Sequence, residues 1–375
     1  MPSPTPVGDR TPVVVAARRT PVATAGRGLA GVAVHDLAAP VLRALADELG
    51  DVRVDDVVLG CATDGGGNVA RVAALAAGLG AGVPGATVDR QCGSGLEALR
   101  LAAALVAAGQ ADVVLAGGAE SASANGGRRA PFAPPGFADP EMGAAADAVA
   151  RLRGIDRERQ DAYAARSHAR AVVAARDGVF DAEIVPVAAV AVDDRPRAGL
   201  DATRLARFPA AFTPGGTVTA GSSCGVSDGA AAVAVVPEGL RARLGVPGLA
   251  VRSTAVAGVD PALPGLGAAP AVRAALARAG AGVADVDVLE VTEAFAAQLL
   301  ACTDELGLDA LGTDAHRVSP EGGAIALGHP WGASGALLVV RLFSSLVRRG
   351  GGRFGVAACA VGGGQGVAVV VERVG

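Results

Sequence analysis

Apolar and polar positions along the chain follow two rhythms in turn. Short, mainly apolar runs at 12–16, 54–59, 86–90 and 111–116 predict buried strands. Longer runs at 34–49, 69–79 and 96–108 predict helices between them. Strands without a polar face, separated by helices, indicate an α/β architecture whose parallel or mixed sheet is covered on both sides. The rhythm stops at 121–140, where Gly, Pro, Ala and Arg occur without a countable period, and this stretch reads as loop. A charged segment at 156–167 is expected to be an amphipathic, surface-lying helix, 180–192 looks strand-like, and 193–215 reads as loop with a short helix. The alternation returns with a helix-to-strand element at 229–236, strands at 249–256 and 286–291, and helices at 271–278 and 296–306. A long apolar helix at 332–347 and strands at 354–358 and 367–371 complete the pattern.

The two halves of this pattern resemble each other. Ser94-Gly95-Leu96 opens a buried helix, followed by a strand and Gly117-Gly118; Ser334-Gly335-Ala336, 240 positions later, opens another, followed by a strand and Gly362-Gly363-Gly364. A strand, glycine turn, apolar helix and glycine-rich exit in each half point to duplication of one α/β unit. The partition that follows is 11–120, completed by 217–245, for the first half, 246–375 for the second, and 121–216 as an inserted segment over the core that handles substrate.

Chemistry concentrates at the head of the first helix. In Asp89-Arg90-Gln91-Cys92-Gly93-Ser94-Gly95 a lone cysteine stands where a strand turns into a helix. Unpaired N–H groups and the helix macrodipole favour a thiolate there, with a pKa below the usual value of roughly 8.5. A small buried apolar cysteine is the other reading of the same position.

Composition narrows the function classes. With 33 Lys+Arg against 37 Asp+Glu and a net charge of -4, no basic surface is expected to attract nucleic acid. Cys61, Cys92, Cys224, Cys302 and Cys359 are scattered, without the spacing of a zinc site or a disulfide framework, which suggests a reducing compartment. The opening 1–10 is Pro-rich without the apolar core of a signal peptide, and no apolar run is long enough to span a membrane, so a cytoplasmic location is expected.

With these residues in view, the chain resembles the thiolases nearly end to end. The blocks that carry the resemblance include Cys92-Gly93-Ser94-Gly95, Gly117-Gly118-Ala119-Glu120-Ser121, Arg159-Gln160-Asp161-Ala162-Tyr163 and Thr217-Val218-Thr219-Ala220-Gly221. Glu293-Ala294-Phe295, Gly322-Gly323-Ala324-Ile325-Ala326-Leu327-Gly328-His329-Pro330 and the glycine run from Gly362 extend it. The resemblance implies a thiolase fold, two duplicated βαβ-rich halves in a five-layered α-β-α-β-α core with an inserted loop domain. It implies an acyltransferase in which Cys92 is the nucleophile, His329 the base that activates it, and the N–H groups of Cys92 and Gly362 an oxyanion hole. Arg197, Cys224 and Met142 match positions around the coenzyme A thioester, which is substrate; no permanently bound cofactor is expected. Pro264 and Leu266 are further candidates for the wall of the acyl site. The segment at 121–141 is shorter than the family's usual tetramerisation element, so a homodimer is expected.

The departures bear on the reaction. Where thiolases carry a second catalytic cysteine, two residues before the triple glycine, this chain has Ala360, and its only nearby thiol is Cys359. In an extended segment neighbours point to opposite sides, so Cys359 is expected to face away from the site unless a bulge shifts it. The family's asparagine before Glu-Ala-Phe is Thr292, while Asp89, Ser319 and Cys224 replace the usual Asn, Asn and Ser. Alanine accepts no proton, which puts the Claisen condensation in doubt. Four readings stay open: an acyl-CoA acyltransferase with Cys359 or water replacing the base, a decarboxylative ketosynthase-like enzyme, an acyl-thioester hydrolase or simple acyltransferase, and a non-catalytic partner subunit. The acyl donor is a coenzyme A thioester or an acyl group on a carrier protein.

Overall fold

A computed structural model describes residues 8–63, 67–125 and 130–375, so the start of the N-terminal segment and the middle of the 121–140 loop lie outside the described residues. The first half runs β1 (Pro12–Arg19), β2 (Ala23–Thr24), α1 (Val34–Leu49), β3 (Asp56–Gly60), α2 (Val69–Ala76), β4 (Ala86–Val88), α3 (Ser94–Ala107) and β5 (Val114–Ser121). The inserted segment carries α4 (Met142–Arg153), α5 (Arg157–Arg176) and α6 (Ala202–Leu205). There follow β6 (Ser227–Pro237), α7 (Glu238–Leu244), β7 (Gly248–Gly258), α8 (Ala268–Ala279), β8 (Val288–Val291), α9 (Ala296–Glu305), α10 (Ala324–Leu327), α11 (Trp331–Leu342), β9 (Phe354–Val361) and β10 (Gln365–Val374).

The strands lie in the order β4-β3-β5-β6-β1-β7-β10-β9-β8, with β2 on β6. Within this order the duplication is explicit. In the first half β3 runs parallel to β5, which pairs antiparallel with β6 and β6 with β1. In the second half β8 runs parallel to β9, which pairs antiparallel with β10 and β10 with β7. A short β1–β7 pairing joins the two sheets.

Strand alternation then sorts the side chains into layers. One face of the first sheet packs on α1 and α2 around Leu37, Leu45, Val57 and Leu115. One face of the second packs on α8 and α9 around Val272, Leu299, Val356 and Val370. The inner faces of both enclose α3 and α11, with Leu96, Leu99, Val339, Val369 and Val371 in a single cluster. This is the five-layered arrangement, α-β-α-β-α, that the resemblance implies.

The two central helices meet at glycine. A Cβ on Gly95 would stand 2.6 Å from the Ala336 nitrogen, and one on Gly335 would stand 2.5 Å from the Leu96 nitrogen. Because the contact is reciprocal, the heads of α3 and α11 approach backbone to backbone, and everything at those heads is drawn together.

Several local expectations are corrected. The 229–236 run is wholly strand: its alanines have high helix propensity, yet β6 pairs with both β5 and β1 and lies so close to β5 that a Cβ on Gly117 would meet Ala231 and Ala232. The 180–192 segment makes only isolated pairings, Arg19 with Ile184 and Val187 with Val190, because Ala188 and Ala189 take positive φ of 45° and 64° and close a tight turn. Helix α5 is not merely surface-lying, for Gln160, Asp161, Tyr163, Ser167 and His168 form a buried polar stripe on it. The alanine-rich α4 has no counterpart in the predicted elements. The last long helix ends as α11 at Leu342 and continues in wider π-type turns at Phe343–Arg348.

Gly335→Val would force bulk into a backbone contact with no flexible neighbour to yield, so a loss of about 2–3 kcal/mol or more is expected. A denaturant midpoint matching that of the unaltered protein would show that the helix heads do not meet this closely.

Candidate active site

Cys92 lies in a single 3₁₀ turn, Gln91–Gly93, between β4 and α3. Gln91 has φ +48°, a left-handed conformation uncommon for a residue with a side chain. Neighbouring side chains hold it there. The Asp89 carboxylate accepts the Gln91 N–H at 2.7 Å, while Ser94 Oγ accepts the Arg90 N–H at 2.8 Å and donates to the Gln91 carbonyl at 2.6 Å. Arg90 donates to Glu97 at 2.9 Å and to the Gln365 side-chain oxygen at 2.7 Å, tying the elbow to the first residue of β10. Between β9 and β10 the chain reverses through Gly363 and Gly364 at φ +78° and +77°. The outcome of both constraints is that the N–H groups of Cys92 and Gly362 act on the Cys92 sulfur.

The expected thiolate is not what this environment favours. Burial, and after it the charge of Glu120, pushes the Cys92 thiol up to about 12, against the opposing pull of its own N–H and that of Gly362. Desolvation of the charged form outweighs the helix terminus. The thiol, rather than the thiolate, is therefore the favoured form of Cys92 at neutral pH.

His329 follows α10 and precedes α11, and its N–H donates to the Gly225 carbonyl at 3.0 Å. Its Nδ1 lies 2.6 Å from Ser334 Oγ, which donates to the Pro330 carbonyl at 3.0 Å. With the hydroxyl proton so used, Ser334 accepts from Nδ1–H, which assigns the neutral tautomer with a bare Nε2. That Nε2 is buried without a partner, and burial lowers the His329 pKa to about 4. The imidazole is thus neutral across the physiological range with its basic nitrogen free. Helix α11, which begins two residues later, packs on the Cys92 turn and brings the two segments to the same end of the core.

The remaining predicted residues fall into three places. Thr292 directly follows β8, its N–H donating to the Ala358 carbonyl at 3.0 Å, and its Oγ1 is 2.9 Å from Cys359 Sγ. The β9–β10 pairing has no bulge, so Cys359 and Ala360 face opposite ways. Cys359 is buried among the central-layer residues, whereas Ala360 is half-buried beside Leu263 and Leu266 on the other face. Burial is the main reason that the Cys224 and Cys359 thiols are each raised to about 12. Arg197 is exposed, donating its N–H to His168 Nδ1 at 3.3 Å and its guanidinium to the Asp194 carbonyl at 2.9 Å. Met142 begins α4, and Pro264 and Leu266 bound the short helical turn before α8. No group of three or more His, Cys, Asp or Glu among the described residues is placed to hold a metal.

Two buried carboxylates organise the site without having been singled out from the sequence as site residues. Glu120 accepts from Gly332 N–H at 2.9 Å, Ala62 N–H at 3.1 Å and the Thr63 hydroxyl, joining the head of α11 to the first half. Glu293 accepts from Tyr163 at 2.6 Å, Ser167 at 2.7 Å and Ile325 N–H at 3.2 Å, joining α5 to the segment that leads to His329. The signal for both was present as a carboxylate inside an otherwise apolar or glycine-rich run.

A duplicated α/β core with a cysteine at one central helix head and a neutral histidine before the other defines an acyl-transferring enzyme of the condensing type. Profiles of the thiolase N-terminal domain match residues 12–131 and 135–239, and the thiolase C-terminal domain matches 246–373. The chain belongs to the thiolase family and is an acyltransferase. It is 42% identical over 367 residues to a putative acetyl-CoA C-acetyltransferase of Bacillus subtilis (strain 168), covering 96% of this chain and 98% of that one. It is 41% identical to a beta-ketoadipyl-CoA thiolase of Escherichia coli, covering 95% and 98%. The crystal structure of the Bacillus anthracis acetyl-CoA acetyltransferase superposes with a TM-score of 0.88 at 36% identity, over 97% and 99% of the two chains. Among the described residues no helix is long and apolar enough to cross a membrane.

A protonated Cys92 predicts slow alkylation by iodoacetamide at neutral pH. The rate should rise roughly tenfold per pH unit between pH 7 and 10 without levelling off, read as mass gained relative to Cys92→Ala. A plateau below pH 8 would assign a thiolate instead.

Proposed function

We propose that the protein takes an acyl group from a coenzyme A thioester onto Cys92 and passes it on in the thiolase reaction, forming or cleaving a C–C bond next to a thioester carbonyl. The observation that carries this reading is the pairing of opposites: a protonated thiol under two N–H donors, and a neutral imidazole whose Nε2 has no other partner. His329 Nε2 takes the Cys92 proton as the sulfur attacks the thioester carbonyl, and Ser334 steadies the resulting imidazolium through Nδ1. The N–H groups of Cys92 and Gly362 receive the oxygen on which charge develops.

The segment 121–216 is the substrate-handling part of this reading, with Arg197 toward the nucleotide of coenzyme A and Met142 and Cys224 toward the pantetheine arm and acyl group. The relatives' names support the donor, since they include acetyl-CoA and beta-ketoadipyl-CoA enzymes. A reducing, cytoplasmic setting fits cysteines such as Cys92, Cys224, Cys302 and Cys359, which form no disulfide. A homodimer is supported by β4, the last strand in the sheet order, which lies beside the exposed Val72 and Leu75 of α2.

The weak point of the reaction is the α-proton. Ala360 cannot carry it, and Cys359 is turned into the central layer against Thr292. Acylation therefore stands apart from the carbon–carbon step in this chain.

Incubation with acetyl-CoA should add one acetyl group to the unaltered protein and none to Cys92→Ala, with His329→Ala slowed about 10²–10⁴-fold. Ala360→Cys should speed condensation by about 10²–10⁴-fold while leaving acylation unchanged. An unacylated wild-type protein would sink the assignment.

A further inference from the structure

Phe132, which has no role in the reading above, lies on the turn that carries the Gly362 N–H. A Cβ on Gly362 would stand 2.6 Å from Cε2, 2.7 Å from Cδ2 and 2.9 Å from Cζ of its ring, and one on Gly363 would stand 2.9 Å from the Phe132 carbonyl oxygen. One edge of the ring therefore rests against the Gly362 backbone, beside the N–H that acts on the Cys92 sulfur. A side chain at Gly362 would displace it. The ring is also held from its own segment. The Phe132 N–H donates to the Asp139 carboxylate at 3.2 Å, which closes the loop from 132 to 139 just before α4 starts at Met142. Phe137 of the same loop is 66% exposed, whereas Phe132 is half-buried.

The ring stands on the same side of the sheet as Ala360. Along β9 Cys359 and Val361 face the central layer, Val361 so closely that a Cβ on Gly93 would stand 2.8 Å from its Cγ2. Ala360 faces the other way, toward Leu263 and Leu266. The ring fills the direction of a Cβ on Gly362, the next position to point to that side. Same-side positions along a strand are roughly 7 Å apart, so Phe132, Ala360 and the Leu263–Leu266 turn border one space. The turn is tied to the same glycines, since the Val259 N–H donates to the Gly364 carbonyl at 2.7 Å and the Leu263 N–H to the Asp260 carbonyl at 2.9 Å. The β9–β10 reversal is thus gripped by the inserted segment on one side and by the segment before α8 on the other.

We propose that Phe132 is the end wall of the acyl compartment and restricts Cys92 to short-chain acyl groups. This rests on the acyl-Cys92 reading above and names the substrate class of that same site. A thioester oxygen received by the Gly362 N–H lies about 2.9 Å from that nitrogen, and the ring edge is packed on the same residue. A carbon chain that leaves the carbonyl over Ala360 meets the ring within a few carbons. The ring has little freedom to give way, because its backbone is seated on Gly363 and its N–H is bound to Asp139. Packing a longer chain there would force either the ring or the glycine turn out of place, and moving the turn would shift the Gly362 N–H from the carbonyl oxygen.

The test compares acetyl-, butyryl- and octanoyl-CoA as donors, with the rate of mass gained at Cys92 as the readout. In the unaltered protein octanoyl transfer should be about 10²-fold or more slower than acetyl transfer, since one methylene too many in a packed site is worth roughly tenfold or more. Phe132→Ala should raise the octanoyl-to-acetyl ratio about tenfold or more, and Phe132→Trp should lower the butyryl-to-acetyl ratio by a similar factor. Equal octanoyl and acetyl rates in the unaltered protein would overturn the proposal. So would unchanged ratios in both variants, including the case in which Phe132→Ala slows every acyl group alike and lowers the melting temperature, the mark of a loop brace. If no acyl group reaches Cys92 of the unaltered protein, the underlying reading fails and this one with it; if acylation occurs with ratios indifferent to residue 132, only the role of Phe132 fails.

Discussion

The close approach of two buried helix heads is the constraint from which the site follows. Helices α3 and α11 cross where Gly95 and Gly335 leave no side chain between their backbones. Each helix belongs to a different half, and each half carries one candidate reacting group beside its helix head: Cys92 in the turn before α3, His329 just ahead of the Pro330 cap of α11. A larger residue at either glycine would push the two helix heads apart, and with them Cys92 from His329. The Glu120 contacts to Gly332, Ala62 and Thr63 reinforce this junction, placing a carboxylate at the positive end of α11.

The same dryness sets the protonation of both partners. Moving either the thiolate or the imidazolium out of water is costly, so burial raises the Cys92 thiol and lowers the His329 imidazole, and the neutral pair is the resting state. An ion pair of the kind that activates many cysteine enzymes is disfavoured here. The low pKa of His329 limits the loss of its free base to strongly acidic conditions.

Most of the architecture could be read from the chain because the strands are uninterrupted apolar runs and the two central helices begin with the same Ser-Gly signature. What misled was composition acting against context. Alanine in β6 looks helical until its pairing with β5 and β1 on either side makes it a central strand. The 180–192 segment has strand-like residues, but Glu183 is committed to Arg19 and Arg341, and the chain turns at Ala188 and Ala189. Cys92 was readable as a position and not as a titration state, since desolvation depends on residues from both halves. Cys359 and Ala360 show the reverse: strand alternation alone gave their opposite orientations, and the unbroken β9–β10 register agrees with it.

The polar groups around the site also explain why the inserted segment is bound to the core as firmly as it is. Tyr163 and Ser167 of α5 converge on Glu293, one residue after Thr292, while Ile325 N–H reaches the same carboxylate from the loop that ends in His329. A displacement of α5 would therefore be felt at Thr292 and at His329 together. Burial, then the negative charge of Glu293, holds the Tyr163 hydroxyl far above its usual pKa, so it remains a donor to that carboxylate at any physiological pH. Because the partners of Glu293 come from two separate segments, α5 and the loop that leads to His329, the carboxylate fixes their mutual positions in a way that apolar contacts, being non-directional, could not. The geometry of the acyl site is in this sense set from outside it: by glycine where the helix heads must touch, and by buried carboxylates where the segments carrying reactive side chains must be held.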